Sequence, residues 1–345
     1  MKIFVLEYVT GGGLAGEPLP PILADAEVMR QAQLRDLAAV AGVDLLTLLD
    51  ARLPYDAPPG ARVQRVGREP GAFDAAWHSA LMQADAVWLT APETDGLLET
   101  LSRRVLAAGR RLLGCTPEAV RIAASKRATA ALLNRAGIAS VPTHASAAAA
   151  AHDAVGTAGA VVVKPDDGAG CRFTHCFARM DEAQQWGETV LGARAIYQPL
   201  VRGEALSLAL LCAEGRARLL SVNRQHVSLR DGAFSFDGVG VGAVADADGR
   251  YAQLAARIAQ ALPGLWGHVG VDLLATADGP LVVEVNPRAT VAYAGLRRLL
   301  RLNPAAALLD LPRLPPVVSA PRQPAAAANP ASTGTLEFGH VGASA

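Results

Sequence analysis

Aromatic side chains are scarce, 5% of 345 residues, and the formal net charge is zero. A nucleic-acid surface draws on a basic excess and on rings that stack with bases, and neither is present. The four cysteines, Cys115, Cys171, Cys176 and Cys212, are scattered without a C-x-x-C pair, and the seven histidines are dispersed. That excludes a disulfide framework or a zinc site and reads as reduced thiols in a cytoplasm. No window holds about 18 uninterrupted apolar residues, the length a membrane span needs. The N-terminal "MKIFVLEYVTGGG" has too short an apolar run for a signal peptide, with Glu7 inside it. The expectation is a soluble cytoplasmic protein whose partners are small molecules, with no nucleic acid and no membrane; a homodimer is left open.

What is there is a half-hydrophobic chain long enough for two or three domains. Lys2–Val9, Val43–Leu49, Ala86–Leu89 and Arg111–Gly114 read as strands, with helices at Ala24–Ala41 and about residues 95 to 108. Strands alternating with helices predict a parallel sheet with helices on its faces. This first unit ends near Cys115. Thr116-Pro117 then reads as a helix cap followed by proline at the first helical position, and Ser125 as the start of a second helix to Ala136. "AVVVK" is a strand running into a glycine-bearing loop, and Phe173–Ala178 can return antiparallel to it. Asp181–Leu191 reads as a helix. Further strands follow at Ala195–Leu200, Leu206–Cys212, Ala217–Asn223, Val271–Ala275 and Val282–Asn286, then a helix at Thr290–Leu302. Residues 312 to 333, rich in Pro, Ala and Ser, read as a surface segment or flexible tail.

Three groups of residues carry chemistry. "GGGLAG", Gly11 to Gly16, matches G-x-G-x-x-G directly after a strand, with Asp50 ending the next one. A dinucleotide site also needs a helix to open at the third glycine, and Pro18, Pro20 and Pro21 forbid it. The residues otherwise read as a mobile glycine-rich loop at the carboxyl edge of the sheet, where a substrate-binding role stays open. The second group is "VVEVNPRAT", residues 282 to 290, an apolar strand interrupted by Glu284 and Asn286 and closed by Pro287 and Arg288. Alternation puts Glu284 and Asn286 on one face. Buried there they are costly unless paired, and oxygen donors suit a hard cation such as Mg²⁺. "VGVDLL" places Asp272 inside another apolar run; if the two strands are neighbours, Asp272, Glu284 and Asn286 converge. Singly, Asp272 reads as a strand-end residue bonding the backbone, and Glu284 with Arg288 as a structural ion pair. The third group is Lys164, at the end of "AVVVK" before Gly168 and Gly170, with Lys126 at the start of a helix. A lysine at a strand end before such a loop reaches phosphate oxygens; either one alone is an ordinary surface lysine.

In combination, "SKRATAALLNRAGIASVP", "VVVKPDDGAG", "YQPLVRGEALS", "VGVDLL" and "VEVNPR" resemble the ATP-grasp superfamily, in this order and at about these separations, over residues 116 to 300. The fold class this implies is α/β: a Rossmann-like N-terminal domain, residues 1–115, then an ATP-grasp fold of two subdomains clamping ATP, residues 116–310, with a hinge near 198–201 and a Pro/Ala-rich segment at 311–345. The resemblance further implies Lys126 and Lys164 on the ATP phosphates under the loop of Gly168 and Gly170, Gln198 and Leu200 at the adenine, Glu204 or its neighbour Ala205 at the ribose, and Asp272, Glu284 and Asn286 on Mg²⁺ or Mn²⁺. The hinge usually carries an acidic residue, and Gln198 stands there; its carbonyl can accept the same hydrogen bond. "MKIFVLEYVTGGG", "KPDDGAG", "SVNRQHV" and "FDGVGVGA" are more narrowly similar to the tyramine–glutamate ligase group, which works in methanofuran biosynthesis.

That likeness implies an ATP-dependent carboxylate–amine ligase. Phosphorylation of a carboxylate, here the side chain of glutamate, makes an acyl phosphate that tyramine or tyrosine attacks. Arg288 would stabilise oxyanion charge, Lys164 with Lys126 would offset charge on the nucleotide, and Arg224 or Arg288 would hold a substrate carboxylate bidentately. Asn223 and Gln225 are expected on one face of their strand, Arg224 on the other; Glu7 and the Gly11–Gly13 loop are expected to shape the substrate pocket. Three rivals remain: a phosphotransferase sharing every ATP motif, a nicotinamide oxidoreductase built on Gly11–Gly16, and a non-catalytic nucleotide-binding module.

Overall fold

The computed structural model describes residues 1–153, 159–168 and 170–312. Five parallel strands open the chain: β1 (Lys2–Glu7), β2 (Asp44–Asp50), β3 (Arg62–Val66), β4 (Ala86–Thr90) and β5 (Arg111–Leu112), with helices α1 (Leu23–Ala38), α2 (Ala72–Gln83) and α3 (Leu97–Ala107) between them. Their order in the sheet is β3-β2-β1-β4-β5. The chain reverses its direction of travel between β1 and β4, and the crevice at the carboxyl ends of two such strands is where open α/β sheets bind ligands. Ile3 to Leu6 are wholly buried on both faces, which is why β1 reads as an unbroken apolar run rather than an alternation.

Two capped helices lead onward. Thr116 accepts from the Ala119 amide at the start of α4 (Pro117–Ala124), and Ser125 accepts from the Ala128 amide at the start of α5 (Lys126–Arg135). After α6 (Ala147–Asp153) come β6 (Val161–Pro165), β7 (His175–Phe177), α7 (Met180–Trp186), β8 (Ala195–Pro199), β9 (Glu204–Ala213), β10 (Arg216–Arg230), β11 (Ala233–Val244), α8 (Arg250–Ala261), β12 (Gly267–Thr276), β13 (Gly279–Asn286), α9 (Tyr293–Leu300) and α10 (Pro304–Leu309). All eight of these strands share one antiparallel sheet, ordered β13-β12-β9-β10-β11-β7-β6-β8. The fold is therefore the expected one, a Rossmann-like parallel sheet followed by the antiparallel sheet of an ATP-grasp fold.

The differences have physical causes. β11, "AFSFDGVGVGAV", is a full strand although Gly238, Gly240 and Gly242 lower its intrinsic preference; pairing with β10 along its length overrides that. Helix α8 buries Tyr251, Leu254, Ala255, Ile258 and Ala259, a clear helical spacing that the sequence displays. The Gly11–Gly16 segment is not a mobile loop. Residues 9 to 12 are buried, and α1 starts only at Leu23, beyond the prolines, so no helix N-terminus opens at Gly16. A Cβ on Gly12 would lie 2.6 Å from Val66, at a φ of 87° that disfavours any side chain, and one on Gly13 would lie 2.3 Å from the Tyr8 ring. These glycines are required by packing, and the nicotinamide reading loses its structural basis. The expected tail at 312–333 lies outside the described residues from 313 onward.

Candidate active site

The β13 tip is built by a bulge. Asp272 pairs with Glu284, but the next residue, Leu273, pairs with Val282, so Val283 is the extra residue. Val282 and Val285, three apart, are thereby both packed into the core at 1% and 2% exposure, while Glu284 and Asn286 stay together on the other face. The ladder continues across the sheet: Glu284 opposes Asp272, Asp272 opposes Ser207 and Ser207 opposes Asn223. One polar row thus crosses four strands on a single face.

Around this row the expected residues meet. Lys126 Nζ lies 3.2 Å from Glu284 Oε2 and donates to the Gly168 carbonyl at 2.9 Å. Lys164, 7% exposed, has its pKa lowered to about 8, by burial first and then by the Lys126 charge, with Glu284 and Asp272 opposing. Asn286 Nδ2 donates to Asp272 Oδ2 at 3.4 Å, and Gln225 Nε2 to Asp272 Oδ1 at 3.0 Å. Burial and the neighbouring Glu284 push the Asp272 carboxyl well above the usual range, whereas Lys126 and Lys164 outweigh burial and hold Glu284 below it. Two adjacent carboxylates that cannot both ionise comfortably, next to an amide, form a donor set that fits a hard divalent cation, whose charge would take the place of the shared proton.

The loop after β6 is strapped to α5. Asp166 Oδ2 accepts from Ser125 Oγ at 2.6 Å, its Oδ1 from the Arg127 amide at 2.8 Å, and its backbone carbonyl from the Lys126 amide at 3.1 Å. Gln198, on β8, donates its amide to Thr143 Oγ1 at 2.8 Å, which leaves the side-chain oxygen as the acceptor end. The Leu200 amide donates to the Ala160 carbonyl at 2.8 Å, and its side chain is exposed.

Two expected residues are not brought to this cluster. Arg224 and Glu204 pair with each other at 2.5 Å, both about half exposed. Arg224 opposes Leu206 and Glu204 opposes Ala275, so both lie on the face opposite the Asp272 row. Alternation is the reason: Asn223 and Gln225 face the cluster, and Arg224 between them cannot. Asn223 is itself tied down, donating to Ser207 Oγ at 3.3 Å and accepting from the Gly242 amide at 3.0 Å.

One residue at the centre was not foreseen. Glu93 follows β4, at the carboxyl edge of the parallel sheet, and is 5% exposed. It meets Arg288 from the end of β13: Arg288 Nη2 donates to Glu93 Oε2 at 3.1 Å, and Nε lies 2.9 Å from Oε1. Burial works against the Arg288 charge, but Glu93 outweighs it and raises the pKa. Glu7, at the end of β1, is buried behind them and accepts from the Thr10 amide and hydroxyl at 2.7 Å; burial raises its pKa against those bonds. The available signal was positional: "LTAPETDG" sets a carboxylate just past a strand adjoining the crevice between β1 and β4.

The sequence matches the ATP-grasp domain over residues 123–292 and the pre-ATP-grasp 3 domain over residues 43–120. The chain carries an ATP-grasp domain behind a pre-ATP-grasp domain. It is 27% identical over 218 residues to tyramine–L-glutamate ligase of Methanocaldococcus jannaschii, a match covering 62% of this chain and 58% of that enzyme, so the chain spans less than two thirds of the relative's length. In fold it is similar to an ATP-grasp superfamily protein from Archaeoglobus fulgidus, at a TM-score of 0.66 and 21% identity over 90% of this chain and 88% of that one. D-alanine–D-alanine ligase from Bacillus anthracis superposes at a TM-score of 0.61 and 13% identity, over 90% and 94% of the two chains. Among the described residues no helix is long and apolar enough to cross a membrane.

Proposed function

We propose that the protein is an ATP-dependent ligase joining a carboxylate to an amine through an acyl phosphate. The observation that carries this reading is the convergence of Asp272, Glu284 and Asn286, on one sheet face, with Lys126 from α5 and Lys164 from β6, in a chain with an ATP-grasp domain. The working division is a Rossmann-like domain at 1–115 and an ATP-grasp domain at 116–310, with residues 311–345 as a separate segment.

Lys126 and Lys164 bind and partly neutralise the nucleotide phosphates, with the loop around Gly168 and Gly170 excluding water from an acyl phosphate that would otherwise hydrolyse. Gln198 Oε1 accepts from the adenine amine beside Leu200. Asp272, Glu284 and Asn286 would hold Mg²⁺, or Mn²⁺ in its place, which would supply positive charge to offset that of the phosphates. Gln225 orients Asp272. Arg288 stabilises the oxyanion of the acyl adduct. No nucleophilic side chain is required, since the protein positions reactants and offsets charge. Arg224 drops out of the catalytic set, and Glu204, paired with it, out of the ribose contact.

The substrates we assign are glutamate, through its side-chain carboxylate, and tyramine or tyrosine, supported by the archaeal relative and by the N-terminal "EYVTGGG" and "SVNRQHV" stretches; the product belongs to a methanofuran-type cofactor route. Incubation with Mg–ATP, glutamate and a panel of tyramine, tyrosine and aliphatic amines tests this. The expected result is ADP and the mass of the γ-glutamyl amide. Turnover with other acids and none with glutamate would remove the narrow assignment while leaving the ligase. ADP formation without amine, with a stable phosphorylated product, would favour a phosphotransferase.

A further inference from the structure

Beside the cluster lies an open cleft of about 300 Å³, between the turn after β4 and the α4–α5 junction. It does not contain the paired carboxylates. Glu284 lines a much smaller cavity with Lys126, Gly168 and Asn286, and Glu93 borders both spaces. Glu93 and Ala124 are the residues the two spaces share, and Glu93 is the charged one.

The cleft has more acidic than basic lining residues; Glu99 is held by Arg103, and Asp166 by Ser125 and the Arg127 amide, which leaves Glu93 and Asp167. Glu93, Glu99, Asp166 and Asp167 line it against Arg121 and Arg194. Arg121 is already bound to Glu118, which lies outside the lining. Asp167 Oδ2 accepts from the Asp95 amide at 2.9 Å, but its Oδ1 is buried with no donor. Glu93 Oε1 likewise has no hydrogen-bond donor: it faces Arg288 Nε at 2.9 Å as an ion contact without aligned geometry. Buried acceptor oxygens without donors are costly and call for one. Val120 and Ala124 give the cleft an apolar wall. A cationic head on a short hydrocarbon stem, a primary alkylammonium, matches this lining.

Resting on the ligase reading, we infer that Glu93 is a catalytic residue that receives the acceptor amine and takes its proton. When Arg288 turns to the developing oxyanion, Glu93 loses its cation, and the incoming ammonium replaces it. The buried carboxylate thus exchanges one positive partner for another and is never left alone. The ammonium then gives one proton to Glu93. The freed lone pair attacks the acyl carbon, the C–N bond forms, the bond from that carbon to the phosphate oxygen breaks, and inorganic phosphate leaves with the second nitrogen proton.

The test compares two nucleophiles in the wild type and in Glu93→Gln. Hydroxylamine is neutral at pH 7 and traps an acyl phosphate as the hydroxamate without needing a base; tyramine is protonated and needs one. With Mg–ATP and glutamate, the ratio of amide to hydroxamate falls at least about tenfold in the variant, with a raised KM for tyramine, and recovers as pH rises toward the amine's own pKa. A ratio unchanged within about twofold, whether both rates persist or both collapse, would mean that Glu93 only holds Arg288 and would overturn the inference. If the wild type forms no hydroxamate from any acid, the ligase reading has failed instead. Tyramine binding measured by saturation-transfer NMR then decides separately: binding to the wild type that is lost in Glu93→Gln supports the cleft assignment, and no binding to the wild type, or equal binding to both, contradicts it.

Discussion

Two arginine–glutamate pairs, Glu93–Arg288 and Glu204–Arg224, have close contacts of 2.9 and 2.5 Å, and the shorter one matters less. Arg224 and Glu204 are about half exposed, so solvent screens them and the pair contributes at most about 1 kcal/mol. Arg288 and Glu93 are 11% and 6% exposed in their side chains, and they join the carboxyl edge of one sheet to the tip of another. In the sequence both arginines look alike, each next to polar residues at a strand end. Burial and sheet face, not contact length, decide which belongs to the site.

The sharpest way to break this comparison is to delete the arginines one at a time. Arg288→Ala leaves Glu93 buried without its cation, and unfolding free energy should fall by about 3–5 kcal/mol in denaturant titration, with amide formation lost. If stability drops by no more than in the exposed pair, the contrast in burial carries no energetic weight. Next in size, Gly12→Ala should cost about 2–4 kcal/mol, from left-handed strain and from overlap with Val66, with ATP affinity retained in the folded fraction. A loss of nucleotide binding out of proportion to stability would restore a binding role to that segment.

A third outcome concerns pH. The Lys164 pKa of about 8 lies below its ordinary 10.5. In the free protein the unfolded chain therefore holds more protons between those values, and Lys164 alone makes stability rise with pH across that window. ATP binding runs the other way: affinity should fall as pH passes up through about 8 and Lys164 loses its charge, read by calorimetry at fixed Mg²⁺. Lys164→Arg should flatten that fall, because a guanidinium stays charged throughout. The smallest effect is Arg224→Ala, with stability changed by less than about 1 kcal/mol and turnover within about twofold of wild type. A large loss of turnover there would return Arg224 to the catalytic set.

Much of this was legible in the residues. The parallel sheet followed from strands alternating with helices, and the caps at Thr116 and Ser125 marked α4 and α5. Glu284 and Asn286 advertised themselves by interrupting an apolar run, and Asp272 by sitting inside another. What the sequence hid was long-range. Strand pairing, not local pattern, chose Gln225 over Arg224, and a bulge at Val283 lets Val282 and Val285 share a face despite their odd spacing. Glu93 is 195 residues from Arg288, and no local pattern announces a partner at that distance. The G-x-G-x-x-G match misled because glycine serves close packing as readily as phosphate binding, and Val66 and Tyr8, the residues that demand it, lie outside the motif.

The central claim is that Asp272 in mid-β12 and Glu284 and Asn286 at the end of β13 form a Mg²⁺-dependent nucleotide site with Lys126 and Lys164. Calorimetric titration of ATP into the wild type and Glu284→Ala, each with and without Mg²⁺, tests it most directly. The account predicts that Mg²⁺ tightens ATP binding to the wild type, that Glu284→Ala removes most of this gain while remaining folded, and that turnover falls about 10²–10³-fold in the variant. No binding to the wild type at millimolar ATP, or a Mg²⁺ effect of the same size in both proteins, would contradict it.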